Sequence, residues 1–169
     1  SWVALPADAE ETHPAFHHHP KDTLPTIERD GVNLRLIAGA AFGERSPVKT
    51  FSDMFYLDAS MSAGDTLALP SEHEERAVYP TDGEVTLNGE VFPAGSMAVV
   101  APGIDAVLEC LRDARVLLLG GATMDGERHI WWNFVSSSRD RIERAKADWK
   151  ENRFAGIPGE TEFIPLPES

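Results

Sequence analysis

The densest run of chemically able side chains in this sequence of 169 residues is Glu72-His73-Glu74-Glu75-Arg76. Carboxylates flanking an imidazole are a donor set for a divalent transition metal, so Glu72, His73 and Glu74 form one candidate metal site. On a strand, however, residue 73 points away from 72 and 74, so the three converge only if the backbone is irregular. The expectation for His73 is a solvated loop. Arg76 argues for different chemistry, because a guanidinium keeps its proton and repels a divalent cation. An unpaired buried cation is costly, so an arginine in apolar surroundings would select an anion. Phe55, Glu72, Arg76 and Tyr79 therefore form a candidate site for a small anionic molecule.

The other tempting residues carry less. His17-His18-His19, with His13 nearby, precede Pro20 in a stretch without periodicity. Adjacent histidines on an extended chain alternate in direction and do not close one coordination sphere. His129 is expected to be a polar strand residue. Cys110 is the single cysteine, so no internal disulfide forms, and its apolar neighbours make it a small buried hydrophobe. No nucleophile elbow, phosphate-cradling glycine loop or dinucleotide fingerprint is present.

The elements that must position these residues are short β-like runs. After a proline-punctuated stretch over 1–31, in which Trp2, Phe16 and Ile27 are expected anchors, about nine or ten runs alternate between apolar and polar residues up to residue 134. That spacing means a sandwich or a barrel. Asn88-Gly89 marks a two-residue hairpin, since a type I′ turn needs positive φ at both centres, and Asp82-Gly83 offers the same cue one strand earlier. Trp131 and Trp132 should alternate faces on the last run. Ser136-Ser137-Ser138 then supplies N-caps for an amphipathic helix over 139–153, docked by Ile142 and Trp149. The remainder is an extended tail whose Phe163, Ile164 and Leu166 should seat on a surface. The expected organisation is one domain: strap 1–31, barrel 32–134, helix and tail 135–169.

A net charge of −13 disfavours nucleic acid and anionic membrane as partners. No apolar run approaches the roughly 20 residues needed to span a bilayer, and the opening Ser1-Trp2-Val3-Ala4-Leu5-Pro6 is not expected to be a signal peptide. A lone cysteine suits a reducing cytoplasm. The chain opens on Ser1 without an initiator Met, so it is expected to begin mid-protein.

Gly64, Gly83, Asn88-Gly89 and Pro93-Ala94-Gly95 resemble, in order and spacing, the two sequence motifs of the cupin superfamily. In that frame the four metal-ligand positions fall on Pro70, Glu72, Arg76 and Ala98. Two of these side chains have no lone pair, and a third is a cation. The implied fold is an all-β cupin barrel (a double-stranded β-helix, or jelly roll) with an N-terminal strap and one C-terminal α-helix.

More specifically, Trp2-Val3-Ala4-Leu5-Pro6, Tyr56-Leu57-Asp58, Leu117-Leu118-Leu119-Gly120-Gly121 and Trp131-Trp132-Asn133-Phe134 resemble the C-terminal domain of pirins. The resemblance implies half of a bicupin whose absent N-terminal barrel holds iron or another divalent metal. Where activity is known in that family, it is a quercetin 2,3-dioxygenase reaction. The expected function is thus a metal-free, non-catalytic cupin that packs against and supports the N-terminal cupin. The alternatives are part of a dioxygenase with a non-standard site at Glu72, His73 and Glu74, or the anion-binding module around Arg76. No cofactor is expected in this chain, and self-association is expected when it is isolated.

Overall fold

The computed structural model describes residues 2–156, 158–159 and 161–167; Ile157 and Glu160 of the expected tail, and the two chain ends, lie outside them. The chain divides into two compact units, one spanning Pro14–Thr123 and the other joining the segment up to His13 with Met124 onward.

The larger unit is a nine-stranded antiparallel sheet. Its strands are β1 Thr26–Arg29, β2 Val32–Ala41, β3 Glu44–Arg45, β4 Met54–Met61, β5 Thr66–Ala68, β6 Glu75–Leu87, β7 Glu90–Pro93, β8 Ala98–Val100 and β9 Val107–Gly121. The order runs β1-β2-β4-β9-β6-β7, with β3 on β2, β5 on β9 and β8 on β6. This is the jelly-roll cupin fold that the motif resemblance implies; the strand pattern by itself predicts a sandwich or a barrel.

Alternation within each strand builds the core. Val32, Leu34 and Leu36 of β2 meet Phe55, Leu57 and Ala59 of β4, then Val116 and Leu118 of β9 and Val78 and Val85 of β6, all buried in one cluster. Fully burying each larger aliphatic or aromatic side chain contributes about 1.5–3 kcal/mol, so period-two patterning selects this register.

Several expected boundaries move, for local reasons. The strap's last residues form β1, because Asp30 and Gly31 take φ of 54° and 84° and fold Thr26–Arg29 back on Val32–Arg35. Asn88 and Gly89, at 50° and 86°, make the expected turn between β6 and β7. Asp82-Gly83 does not turn the chain. It sits inside the 13-residue β6, at register shifts between Pro80 and Val85. Gly83 has φ of 76°, and a Cβ there would lie 2.2 Å from the Asp113 carbonyl oxygen, so glycine serves a bulge against β9. Ala106 to Leu111 and Val116 to Leu119, two runs in sequence, belong to the single strand β9. Of the expected strap anchors only Ile27 packs on the core; Trp2 and Phe16 are 62% and 90% exposed.

The smaller unit holds a hairpin of β10 His129–Trp131 and β11 Phe134–Ser136, followed by α1 Arg139–Lys150. Among the described residues these two strands pair only with each other. Trp132 adopts φ of 48° in the hairpin turn, which sends its ring into the same cluster as Trp131 instead of to the opposite face. Phe134, Trp149, Phe154 and Phe163 complete that cluster. Ser138 caps α1 by accepting the Arg141 N–H, and Ile142 and Ala145 form its buried stripe. Trp149 donates its indole N–H to the Ile164 carbonyl at 2.8 Å, seating the tail.

Arg128 bolts the N-terminal segment to this unit. It donates to the Leu5 carbonyl at 2.9 Å and pairs with Glu10 at 3.0 Å, while Glu11 pairs with Arg141 at 2.6 Å. Burial alone would raise the Glu10 pKa. The Ser137 N–H, the Ser136 and Ser137 hydroxyls and the Arg128 charge outweigh it and hold the carboxyl below its ordinary value. Among the described residues no helix is long and apolar enough to cross a membrane.

Candidate functional site

Arg76 lies on β6 with its side chain in the barrel, 5% exposed. It faces Gly120 of β9, which in turn faces Phe55 of β4, so the three form one row across the sheet. The row is possible because residue 120 has no side chain. A Cβ there would meet the Phe55 ring at 2.6 Å and the Arg76 Cα at 3.1 Å. On the other side, Arg76 pairs with Val100 and Val78 with Ala98, so Ala98 shares the inner face two residues from Arg76. Pro70 is fully buried.

Main-chain carbonyls, rather than carboxylates, hold the guanidinium. Nη2 donates to Ile104 at 2.5 Å and Nη1 makes a long contact of 3.5 Å to Pro70. Nε is buried without an acceptor among the described residues. Such an arrangement retains a positive charge in an apolar interior and orients it toward two loops.

The other expected site residues disperse. Glu72 is exposed and accepts the Phe42 N–H at 3.1 Å. His73 is half-buried, with Nε2 3.0 Å from the Ala40 carbonyl and its ring 5.1 Å from that of Phe55. It is therefore a packed lid on Phe55, where the sequence suggested a solvated loop. Glu74 turns elsewhere and accepts the Thr123 hydroxyl at 3.1 Å. Tyr79 is not at the barrel mouth. Residues 76 and 78 point inward, so 79 points outward, beside Leu117, which faces Asp58. Phe55 and Arg76 are thus brought together, with His73 packed on the Phe55 ring, while Glu72, Glu74 and Tyr79 are not.

Among the described residues, no group of three or more His, Cys, Asp or Glu side chains is arranged to hold a metal. His17 and His18 are exposed, and His129 lies on β10, 3.7 Å from Glu127. Cys110 is buried, and burial together with Asp65 and Asp113 pushes its thiol pKa up. Asp58, on the outer face, is held below its ordinary value by hydrogen bonds from Arg115 at 2.7 and 2.8 Å, against the opposing effect of burial.

Residues missed by sequence reasoning are those whose signal is spatial. Ile104 serves through its carbonyl, and Gly120 through the space it leaves. Only the Gly120-Gly121 pair at the end of an apolar strand hinted at a close approach.

Residues 56–155 match the model of the pirin C-terminal cupin domain. The chain belongs to the pirin family. It is 48% identical over 171 residues to a pirin-like protein of Caulobacter vibrioides, covering 99% of this chain and 59% of that protein. A provisionally named quercetin 2,3-dioxygenase of Pseudomonas aeruginosa is 38% identical over 89% of this chain and 48% of its own length. The crystal structure of a quercetin 2,3-dioxygenase from Acinetobacter baumannii superposes with a TM-score of 0.88 at 28% identity, over 99% of this chain and 57% of that one. This pirin cupin thus spans about half the length of the curated relatives it matches, 59% and 48% of the two named here.

Proposed function

We propose that this chain is the non-catalytic half of a pirin-like bicupin, a metal-free barrel that packs against and supports a metal-bearing N-terminal cupin. The observation that carries the reading is the buried Arg76 guanidinium at a ligand position of the cupin frame, beside Pro70 and Ala98. Proline and alanine side chains offer no lone pair, and a guanidinium repels a divalent cation. Glu72, the one donor left in the frame, is turned to the Phe42 N–H. These residues do not fit a transition metal, which needs several converging donors.

The dioxygenase alternative would require Glu72, His73 and Glu74 to converge. Each is engaged by a different partner: the Phe42 N–H, the Ala40 carbonyl and the Thr123 hydroxyl. Iron or another divalent metal, and any quercetin 2,3-dioxygenase chemistry of the kind named for the relatives, are assigned by this reading to the N-terminal cupin. That partner would also cover exposed apolar groups such as Trp2 and Phe16, which would otherwise favour self-association.

Metal analysis after incubation with iron(II), nickel(II) or manganese(II) tests the reading. Stoichiometric metal is expected in a parent protein carrying both cupins and only trace metal in this chain. Stoichiometric metal in this chain, or quercetin turnover by it alone, would overturn the proposal.

A further inference from the structure

Arg76 places a covalently attached cation inside the barrel, 5% exposed. Arg76 reaches from β6 to the carbonyls of Pro70, in the segment after β5, and Ile104, in the loop between β8 and β9. The two segments meet again where the Leu69 N–H donates to the Ala106 carbonyl at 2.9 Å, and the Ile104 N–H closes a turn onto Ala101 at 3.3 Å. Both loops are therefore gathered around one cation through main-chain oxygens. The surrounding wall of Phe55, Val78, Ala98 and Val100 is apolar and buried.

Desolvating a guanidinium is costly, and it is tolerated where acceptors are fixed around it. Nη2 and Nη1 face such acceptors, and Nε is buried without an acceptor among the described residues. Both guanidinium contacts are to neutral carbonyls, and no carboxylate pairs with it among the described residues. The geometry is that of a filled cation site, with neutral carbonyls as its ligands.

We propose that Arg76 is a tethered cation occupying the place a metal takes in a ligand-bearing cupin barrel, bracing the 69–70 and 101–106 segments. The carbonyls of Pro70 and Ile104 constitute a site specific for guanidinium-class cations, which opens to free ligand when the side chain is cut back. This inference rests on the metal-free reading above but goes beyond it, since a metal-free barrel could equally have an inert apolar centre.

The test is chemical rescue in the 169-residue chain. Arg76→Ala is expected to lower Tm by roughly 5–10 °C. Methylguanidinium at roughly 20–50 mM, far below denaturing concentration, should recover much of that loss. It should also restore hydrogen-exchange protection at the Leu69 amide. Leu118→Ala, a cavity elsewhere in the same core, should gain nothing from the same additive. If Arg76→Ala fails to fold, Arg76→Lys and Arg76→Met decide: the lysine variant, still cationic, should melt higher than the methionine variant.

A methionine variant as stable as wild type would overturn the proposal, as would methylguanidinium failing to distinguish Arg76→Ala from Leu118→Ala. If phosphate or benzoate raises the wild-type Tm through Arg76, the residue is an anion receptor and the tethered-cation inference falls. These outcomes are separate from metal content, so either proposal can fail while the other's measurement stands.

Discussion

Gly120 offers a sharp test of how the site is assembled. Alanine has no conformational objection there, because the backbone lies outside the left-handed region. In open space the exchange would stabilise by about 0.4–1 kcal/mol, through a smaller loss of unfolded-state entropy. Here the new methyl carbon would lie 2.1 Å from the Glu75 carbonyl oxygen and 2.6 Å from the Phe55 ring. The ring can shift slightly, but the carbonyl belongs to β6, which is paired to β9 along its length. Overpacking of this kind costs about 1–3 kcal/mol, and a backbone obstacle favours the upper end. At about 2–4 °C per kcal/mol for a chain of this size, Gly120→Ala should melt roughly 4–10 °C below wild type. Thermal unfolding followed by near-ultraviolet circular dichroism is the assay. Gly156→Ala is the matched control, since nothing lies within 4 Å of its Cβ position, and it should fall within about 0.5 kcal/mol of wild type. An unchanged Tm for Gly120→Ala would show that the Phe55–Gly120–Arg76 row is not packed as described.

Two further expectations follow from the titrating groups. Glu10 is held below its ordinary pKa, as is Asp125 by the Ala7 N–H and Arg128, so in acid the unfolded chain binds protons that the folded chain resists. The stability they confer is therefore complete above the unfolded pKa of about 4 and drains as pH falls through the folded values. Proteolysis of the N-terminal segment should accelerate over that acid range in wild type, whereas Arg128→Ala should be cleaved readily at neutral pH; equal resistance would refute the clasp. Cys110, with its thiol pKa pushed up by burial, should react with a thiol reagent only as fast as the barrel opens, and stoichiometric labelling of the native chain within seconds would contradict its placement.

The all-β character, the Asn88-Gly89 hairpin and the helix after Ser138 were all legible in the chain, because each is decided by neighbours along the backbone. Alternation at period two specifies which side chains are buried together, positive φ specifies the turn residues, and a serine hydroxyl caps the helix that follows it. That proline, arginine and alanine side chains offer a metal no lone pair is likewise a property of residue type, readable without the fold. What the chain did not disclose depends on contacts across the sheet. Asp82-Gly83 has the chemistry of a turn, yet pairing with β9 carries the strand through it as a bulge. Tyr79 and Arg76 sit three residues apart on β6 and so take opposite faces; which of the two faces inward was set by how the loop before β6 delivers the strand. Trp132 enters the aromatic cluster only because its backbone turns left-handed at 48°. The centre of the barrel was the least visible part, because its partners are carbonyl oxygens of Pro70 and Ile104. Every residue carries a carbonyl, so no side-chain pattern marks the two that tertiary structure brings to a single guanidinium.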